Sequence, residues 1–301
     1  MTQQPFFSII IPTYNRPDRL KSCLQALTRL DYPRDRFEVV IVDDGSKTPL
    51  DRVIAPYQAS LNITLIRQTN AGPANARNTG ANYAKGQYLA FTDDDCAPAP
   101  DWLTNMAACF ARAPEALIGG YTINALSNNL YSTASQILID YIYSYYNTKS
   151  HQSGFFASNN FAMPAERFRT LGGFDTRFPL AAGEDREFCD RWLHHGYPMI
   201  YAPKVQIYHS HHLTLKTFWR QHFNYGRGAS CFHQVRSQRS QESFKVEPIS
   251  FYFHLITYPF GQCNLQSAMF LAVLLFISQV ANASGFFWER ANQSSKQFSW
   301  A

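Results

Sequence analysis

Three consecutive carboxylates, Asp93-Asp94-Asp95, follow the apolar run from Gln87 to Thr92. Adjacent anions repel one another unless a cation or hydrogen bonds compensate them, and a divalent metal is the simplest compensator. In extended chain, residues two apart point the same way, so Asp93 and Asp95 can face one site while Asp94 faces elsewhere. Hard oxygen ligands select a hard ion, Mg2+ or Mn2+, with coordination positions left open for phosphate oxygens.

Other chemistry-bearing residues gather at similar places. Asp43-Asp44-Gly45-Ser46 also follows an apolar run. A carboxylate there is placed to accept hydrogen bonds from a base or ribose, although Asp-Gly is equally a turn signal. Arg77, inside Asn70-Ala-Gly-Pro-Ala-Asn-Ala-Arg-Asn-Thr-Gly80, sits on a helix leading back to the acidic strand end. A guanidinium there either reaches a diphosphate or orients a carboxylate. Glu184-Asp185 opens a helical pattern, where the pair either complements the helix dipole or supplies a general base.

These residues need a scaffold that ends several strands at one place. Phe6 to Ile11 is β-branched and bounded by Pro12, and Leu20, Leu24, Leu27 and Leu30 follow at helical spacing. Strand-like runs recur at Phe37 to Val42, Leu61 to Ile66 and Gln87 to Thr92, with a helix from Pro73 to Ala84 between the last two. Strands alternating with helices predict an α/β fold with a mostly parallel sheet covered on both faces, its ligands beyond the carboxyl ends of the strands. Further on, an amphipathic helix begins at Trp102, a Tyr-rich stretch covers Tyr141 to Tyr146, and Phe188, Trp192 and Leu193 continue the helix that Glu184 opens.

Composition excludes some functions. A formal charge of +5 over 301 residues, without a basic stripe interleaved with stacking aromatics, argues against nucleic acid as a partner. The six cysteines lack CxxC or CxxxC spacing, which predicts reduced packing thiols rather than a zinc site or a disulfide framework. The N-terminus shows no positively charged segment and no cleavage site, so export is not expected.

Taken in order, Ile9-Ile-Ile-Pro-Thr-Tyr-Asn15, Val42-Asp-Asp-Gly-Ser46, Asn70 to Gly80, Phe91-Thr-Asp-Asp-Asp95, Pro100-Asp-Trp-Leu103, Gly172-Gly-Phe-Asp175 and Gly183-Glu-Asp185 resemble the family 2 glycosyltransferases. The resemblance implies a GT-A fold with a Rossmann-like nucleotide-binding sheet and flanking helices. It implies an inverting transfer from a nucleotide-sugar donor, with UDP the expected nucleotide and GDP or dTDP open. Pro12, Thr13, Tyr14 and Asp44 would surround the base, and Arg77, Asp93 and Asp94 the ribose and diphosphate. Asp95, with Asp93, would bind Mn2+ or Mg2+. His209 is a candidate further ligand, because some relatives place a histidine after the base-bearing helix; His211 and His212 lie beside it. Asp185 is the base by family pattern, with Glu184 the alternative. No Gln-x-x-Arg-Trp sequence marks a processive synthase, so transfer of one sugar or a few is expected. A non-catalytic nucleotide-sugar binding subunit would need this fold but not the base. A nucleotidyltransferase would show a Gly-rich loop where this chain has Pro-Thr-Tyr-Asn-Arg-Pro.

The 41 residues from Pro248 to Trp288 contain no Asp, Glu, Lys or Arg. The densest apolar part, Ala268 to Ala281, is shorter than the ~20 residues a spanning helix needs unless its flanks contribute. The segment therefore spans a membrane, lies in its interface, or forms a buried helical hairpin. Before it, residues 213 to 245 hold Lys216, Arg220, Arg227, Arg236, Arg239 and Lys245 against Glu242 alone, a bias that suits an anionic cytoplasmic leaflet. The stretch Thr214 to Gly228 resembles a region that lies near membrane and acceptor in relatives. The expected organisation is a GT-A domain over residues 1–228 and a membrane-associated helical segment over 229–301, with a glycan or lipid-linked acceptor and catalysis on the cytoplasmic side.

Overall fold

Ile9, Ile10 and Ile11 are completely buried, as a central strand with helices on both faces requires. They lie in β1 (Phe7–Thr13), which Pro17 follows as the first residue of α1 (Pro17–Leu27), where its missing N–H costs no helical bond. The computed structural model describes residues 4–147, 154–178, 180–240 and 247–298. Lys245 and Glu242 fall outside the described residues.

β2 (Phe37–Asp43), the short α2 (Asp51–Ile54), β3 (Ile63–Arg67), α3 (Pro73–Tyr83) and β4 (Tyr88–Phe91) complete the alternation that the sequence predicts. β3, β2, β1 and β4 pair in that order, all parallel, so their carboxyl ends meet at one edge. α3 packs close on this sheet because Gly80 has no side chain: a Cβ there would fall 2.6 Å from Cγ2 of Ile10. α1 ends one turn before Leu30, which is buried in the following turn.

The second half mixes directions. β5 (Cys96–Pro98) and α4 (Trp102–Phe110) lead to β6 (Leu117–Asn124), then α5 (Leu130–Asn147), β7 (Phe161–Pro164), α6 (Ala165–Thr170), α7 (Glu184–His194) and β8 (Met199–His209). The eight described strands form one sheet in the order β3-β2-β1-β4-β7-β6-β8-β5. β7 runs antiparallel to both β4 and β6, β6 pairs β8 in parallel, and β5 pairs β8 antiparallel. The parallel nucleotide-binding half thus continues into a mixed half within the same sheet.

Asn160, completely buried, staples this mixed half. Its amide nitrogen donates to the carbonyls of Tyr121 and Val205, both at 3.0 Å, and its oxygen accepts from Trp102 Nε1 at 2.9 Å. One side chain therefore joins β6, β8 and α4.

Beyond β8 the chain is helical. α8 (Leu215–Ser240) runs unbroken across the junction of residues 228 and 229, followed by α9 (Ile249–Thr257) and α10 (Leu265–Phe298). A third apolar core joins these helices to α5 through residues such as Ile137, Phe218, Leu255 and Leu275. α8 and α10 approach backbone to backbone: a Cβ on Gly226 would lie 1.8 Å from the Asn282 carbonyl oxygen, and one on Gly285 1.9 Å from that of Phe223.

Asn160→Ala should destabilise the fold by roughly 3 kcal/mol, because it strands buried partners on three elements. Urea unfolding checks this as a lower midpoint at unchanged slope.

Candidate active site

The carboxyl ends of β1, β2 and β4 bring the first three motifs together. At the end of β1, Thr13 Oγ1 donates to Asp94 Oδ2 at 2.7 Å. Asp94 is buried and turned toward β1; it and Asp95 lie in a turn rather than in extended chain, and Arg16 reaches both, at 3.3 and 3.6 Å. Burial pushes its carboxyl up to about 6, against the opposing charge of Arg16. Thr13 and Asp94, expected among the donor's contacts, bond each other and form the floor of the site.

Asp95 sits differently. Its Oδ2 accepts from Arg19 Nη1 at 2.6 Å, and its Oδ1 lies 3.2 Å from His209 Nε2. Burial alone would raise this carboxyl, but the hydrogen bond and charge of His209, with Arg16 behind them, hold it well below the usual range. The ladder of β5 on β8 makes the His209 contact: Cys96 stands opposite His209, and the Ser210 N–H donates to the Asp95 carbonyl at 2.9 Å. His209 is raised in turn, burial being outweighed by Asp95, whereas burial and the charge of His209 lower His211 to about 4.

Arg77 is only 3% exposed. Its Nη2 donates to Asp93 Oδ1 at 2.7 Å and its Nη1 to Glu184 Oε1 at 3.0 Å. Both terminal nitrogens are on carboxylates, so the arginine expected at the ribose and diphosphate serves here as an internal strut between the acidic turn and α7. Asn78 reinforces it, its amide donating to the Phe174 carbonyl and accepting from the Phe174 N–H, both at 2.8 Å. That exchange fixes the Gly172-Gly173-Phe174 loop, where Gly173 at φ +72° leaves the only room for Asn78 Oδ1.

α7 begins directly after Gly183, which adopts φ +91°. Glu184 is buried, its Oε1 on Arg77 and its Oε2 without a hydrogen-bond partner. Burial and the adjacent Asp185 push it up to about 7. Asp185 is only partly buried and accepts from the N–H groups of Arg186 at 2.8 Å and Ser158 at 3.3 Å. Burial raises its carboxyl too, against those two donors and Arg77. Of the pair, Asp185 is the carboxylate with an open side.

At the β2 end, Asp44 Oδ1 accepts from Gln68 Nε2 at 2.7 Å and the Ala71 N–H at 3.0 Å, and Oδ2 from the Gly72 N–H at 2.9 Å. A carboxylate has about four acceptor positions, so one remains for a base. Half-buried Pro12 and exposed Tyr14 flank the same loop, beside a groove of ≈ 330 Å³ lined by Asn15, Ser46, Lys47 and Leu50 among others.

Donor atoms of Asp95, Cys96 and His209 lie within 4.8 Å of one another. Burial drives the Cys96 thiol well up, so it stays protonated and belongs to the wall. A deprotonated carboxylate and an imidazole fit Mn2+, and the carboxylate also fits Mg2+. Asp93, expected beside Asp95 at the metal, is 29% exposed at its side chain and bonded to Arg77.

Arg16, Arg19 and Ser158 are not legible in the sequence as site residues. For the two arginines a signal existed: three adjacent carboxylates need cations, and Arg16 and Arg19 lie just after the β1 motif. Cys23, Cys96, Cys109, Cys189 and Cys263 are free thiols.

A family model for "Glycosyl transferase family 2" matches residues 8–172, and one for "N-terminal domain of galactosyltransferase" matches residues 139–214. The chain is 35% identical over 118 residues to the glycosyltransferase AglE of Haloferax volcanii, covering 38% of this chain and 39% of that protein. It is 30% identical over 227 residues to the validoxylamine A glucosyltransferase of Streptomyces hygroscopicus subsp. jinggangensis, covering 65% of this chain and 53% of that one. The matches thus span about half or less of these curated relatives. Among solved structures, the mannosyltransferase PcManGT from Pyrobaculum calidifontis in complex with GDP-Man and Mn2+ superposes with a TM-score of 0.65 at 19% identity, over 93% of this chain and 88% of that one. S. aureus TarS 1-349 in complex with UDP-GlcNAc gives 0.53 at 17% identity, over 96% and 92%. Both likenesses confirm the GT-A architecture. With the family model covering more than half of its length, on the same motifs that build this cleft, the chain belongs to glycosyl transferase family 2.

Proposed function

We propose that this chain is an inverting glycosyltransferase that moves a sugar from a nucleotide-diphosphate donor, a UDP-sugar with Mn2+ or Mg2+, to an acceptor hydroxyl of a glycan or lipid-linked glycan. The observation that carries this reading is the pairing of two carboxylates with opposite tasks: Asp95, held ionised beside His209, and Asp185, open on one side at the start of α7. Relatives of the same fold crystallised with GDP-Man and Mn2+ and with UDP-GlcNAc support a nucleotide-sugar donor and a divalent cation.

In this mechanism Asp185 removes the proton from the acceptor hydroxyl as its oxygen bonds to the anomeric carbon and the bond to the diphosphate breaks. The N–H groups of Arg186 and Ser158 aim the Asp185 carboxylate, and Arg77 keeps Glu184 out of the way beneath it. Asp95 and His209 would hold the cation, whose bound form supplies Lewis-acid stabilisation of the departing diphosphate. Arg16, half-exposed beside Asp94 and Asp95, is placed to add positive charge at the phosphates. We further propose that the helical segment after residue 228 holds the enzyme at the cytoplasmic face of a membrane.

Asp185→Asn should lower kcat by ~10²- to 10⁴-fold with nucleotide binding intact. Because the ionised form is the base and burial raises its carboxyl, the wild-type rate should climb with pH through a limb above the ordinary carboxylate range, and steady-state pH profiles would locate it. Transfer within a few-fold of wild type in the variant would remove Asp185 from its role. Calorimetric titration with UDP, GDP and dTDP, each with Mn2+ and after chelation, tests the donor site. Asp95→Asn and His209→Ala should each weaken the Mn2+-dependent part by roughly 10- to 100-fold, and metal-independent binding of all three nucleotides would reject the site.

A further inference from the structure

α10 is apolar on two opposite faces. Ala268, Leu271, Leu275, Ser278 and Ala281 are buried, and this face packs on α8 and α5. Leu265, Met269, Val273, Phe276, Val280 and Phe287, 40 to 68% exposed, recur at helical spacing along the other side. That outer stripe extends about 33 Å at 1.5 Å per residue, and no charged residue interrupts it. Phe253 and Ile249 on α9 and Phe260 in the following turn add further exposed apolar side chains. A contiguous surface of this kind marks a contact with protein or membrane.

Charge and aromatic placement select the membrane. α8 contains five basic residues and no acidic one. Arg227 pairs with Glu289, and Arg236 and Arg239 pair with Asp190, which leaves Lys216 and Arg220 as the exposed cations of its first two turns. They share a face with Trp219 and Phe223, and Phe223 meets Trp288 of α10 at a centroid distance of 6.0 Å. Trp288 is itself exposed and carries Arg227 over its ring at 4.6 Å. Aromatic and basic residues along the edge of an apolar stripe are the composition of a bilayer interface with anionic headgroups.

An 18-residue stretch within Leu265–Asn292 reaches a mean hydropathy of 1.8, and the helix is long enough to cross a bilayer. The packing argues otherwise. The inner face of α10 is joined to α8 by the Gly226 and Gly285 contacts, and α8 is joined to the catalytic domain at Gly228, where a Cβ would fall 2.2 Å from the Ala182 carbonyl oxygen. Crossing the bilayer would pull α10 off these contacts or drag the cationic α8 into hydrocarbon.

We propose that α9 and α10 form a monotopic surface on which the protein lies in the plane of an anionic bilayer, α10 half immersed along its length. The inference rests on the membrane attachment proposed above and specifies its geometry. α8 is then the wall shared by the two functions: Gly228 abuts the start of α7 while Lys216 and Trp219 meet the headgroups. The acceptor side of the cleft stands about one helix diameter, ~10 Å, from the lipid.

Flotation of the full chain with vesicles tests attachment, and spin-label depth tests geometry. The protein should float with phosphatidylcholine vesicles containing phosphatidylglycerol and much less with phosphatidylcholine alone, and Met269→Glu combined with Phe276→Glu should abolish flotation. Spin labels at Phe270→Cys, Phe276→Cys and Phe287→Cys, each in a Cys263→Ser background, should report similar shallow depths. Binding with Phe276 deep and the other two near opposite surfaces would overturn the in-plane geometry while leaving attachment intact. Absence of binding, or a dimer broken by the two glutamates, would overturn both.

Discussion

A guanidinium removed from water persists only where carboxylates surround it, and Arg77 imposes that condition on three separate segments. Transfer of such an ion into the interior costs several kcal/mol even after relaxation. Asp93 and Glu184 offset that cost, and with their charges Arg77 stays protonated in spite of its burial. α3, the acidic turn after β4 and the first turn of α7 are thereby held at one distance from one another. Successive residues on a helix point about 100° apart, so once Glu184 turns inward to Arg77, Asp185 must turn another way. It faces the Ser158 amide and the open side of the cleft.

The rest of the acidic cluster follows the same logic with more exposed cations. Asp94 is matched by Thr13 and Arg16, and Asp95 by Arg19 and His209. The cluster's charges are thus balanced by the protein's own side chains. Arg16 and Arg19 are the more exposed partners, their side chains 51% and 35% exposed.

Much of the first half was legible because each signal was local. Fully buried parallel strands read as short β-branched runs, Pro17 and Pro73 start helices, and turn residues end the strands where the carboxylates collect. The mixed half was not legible, since nothing in a run of four residues such as Phe161–Pro164 states which way it will pair. Arg77 illustrates a different limit: the sequence places it near the acidic strand end, but whether an arginine faces ligand or protein depends on a carboxylate 107 residues away. Arg16 and Arg19 lie just outside the motif before them, which ends at Asn15. The C-terminal helices were read as apolar, but the two-sidedness of α10 emerges only when the buried positions are known.

The β6–β8 ladder carries a register shift: Gly120 stands opposite Ala202, yet Tyr121 stands opposite Gln206. Pro203, Lys204 and Val205 are looped out of the pairing, and the strand then resumes toward His209. The bulge therefore sets off a second stretch of the strand that acts as a ruler. Within the bulge Val205 is fixed, fully buried and with its carbonyl accepting from Asn160, whereas Pro203 and Lys204 stand free of the ladder. One residue inserted between Val205 and His209 would set Tyr208 beside Asp95 in place of the histidine. The four positions after the bulge are thus constrained by counting as strictly as by chemistry.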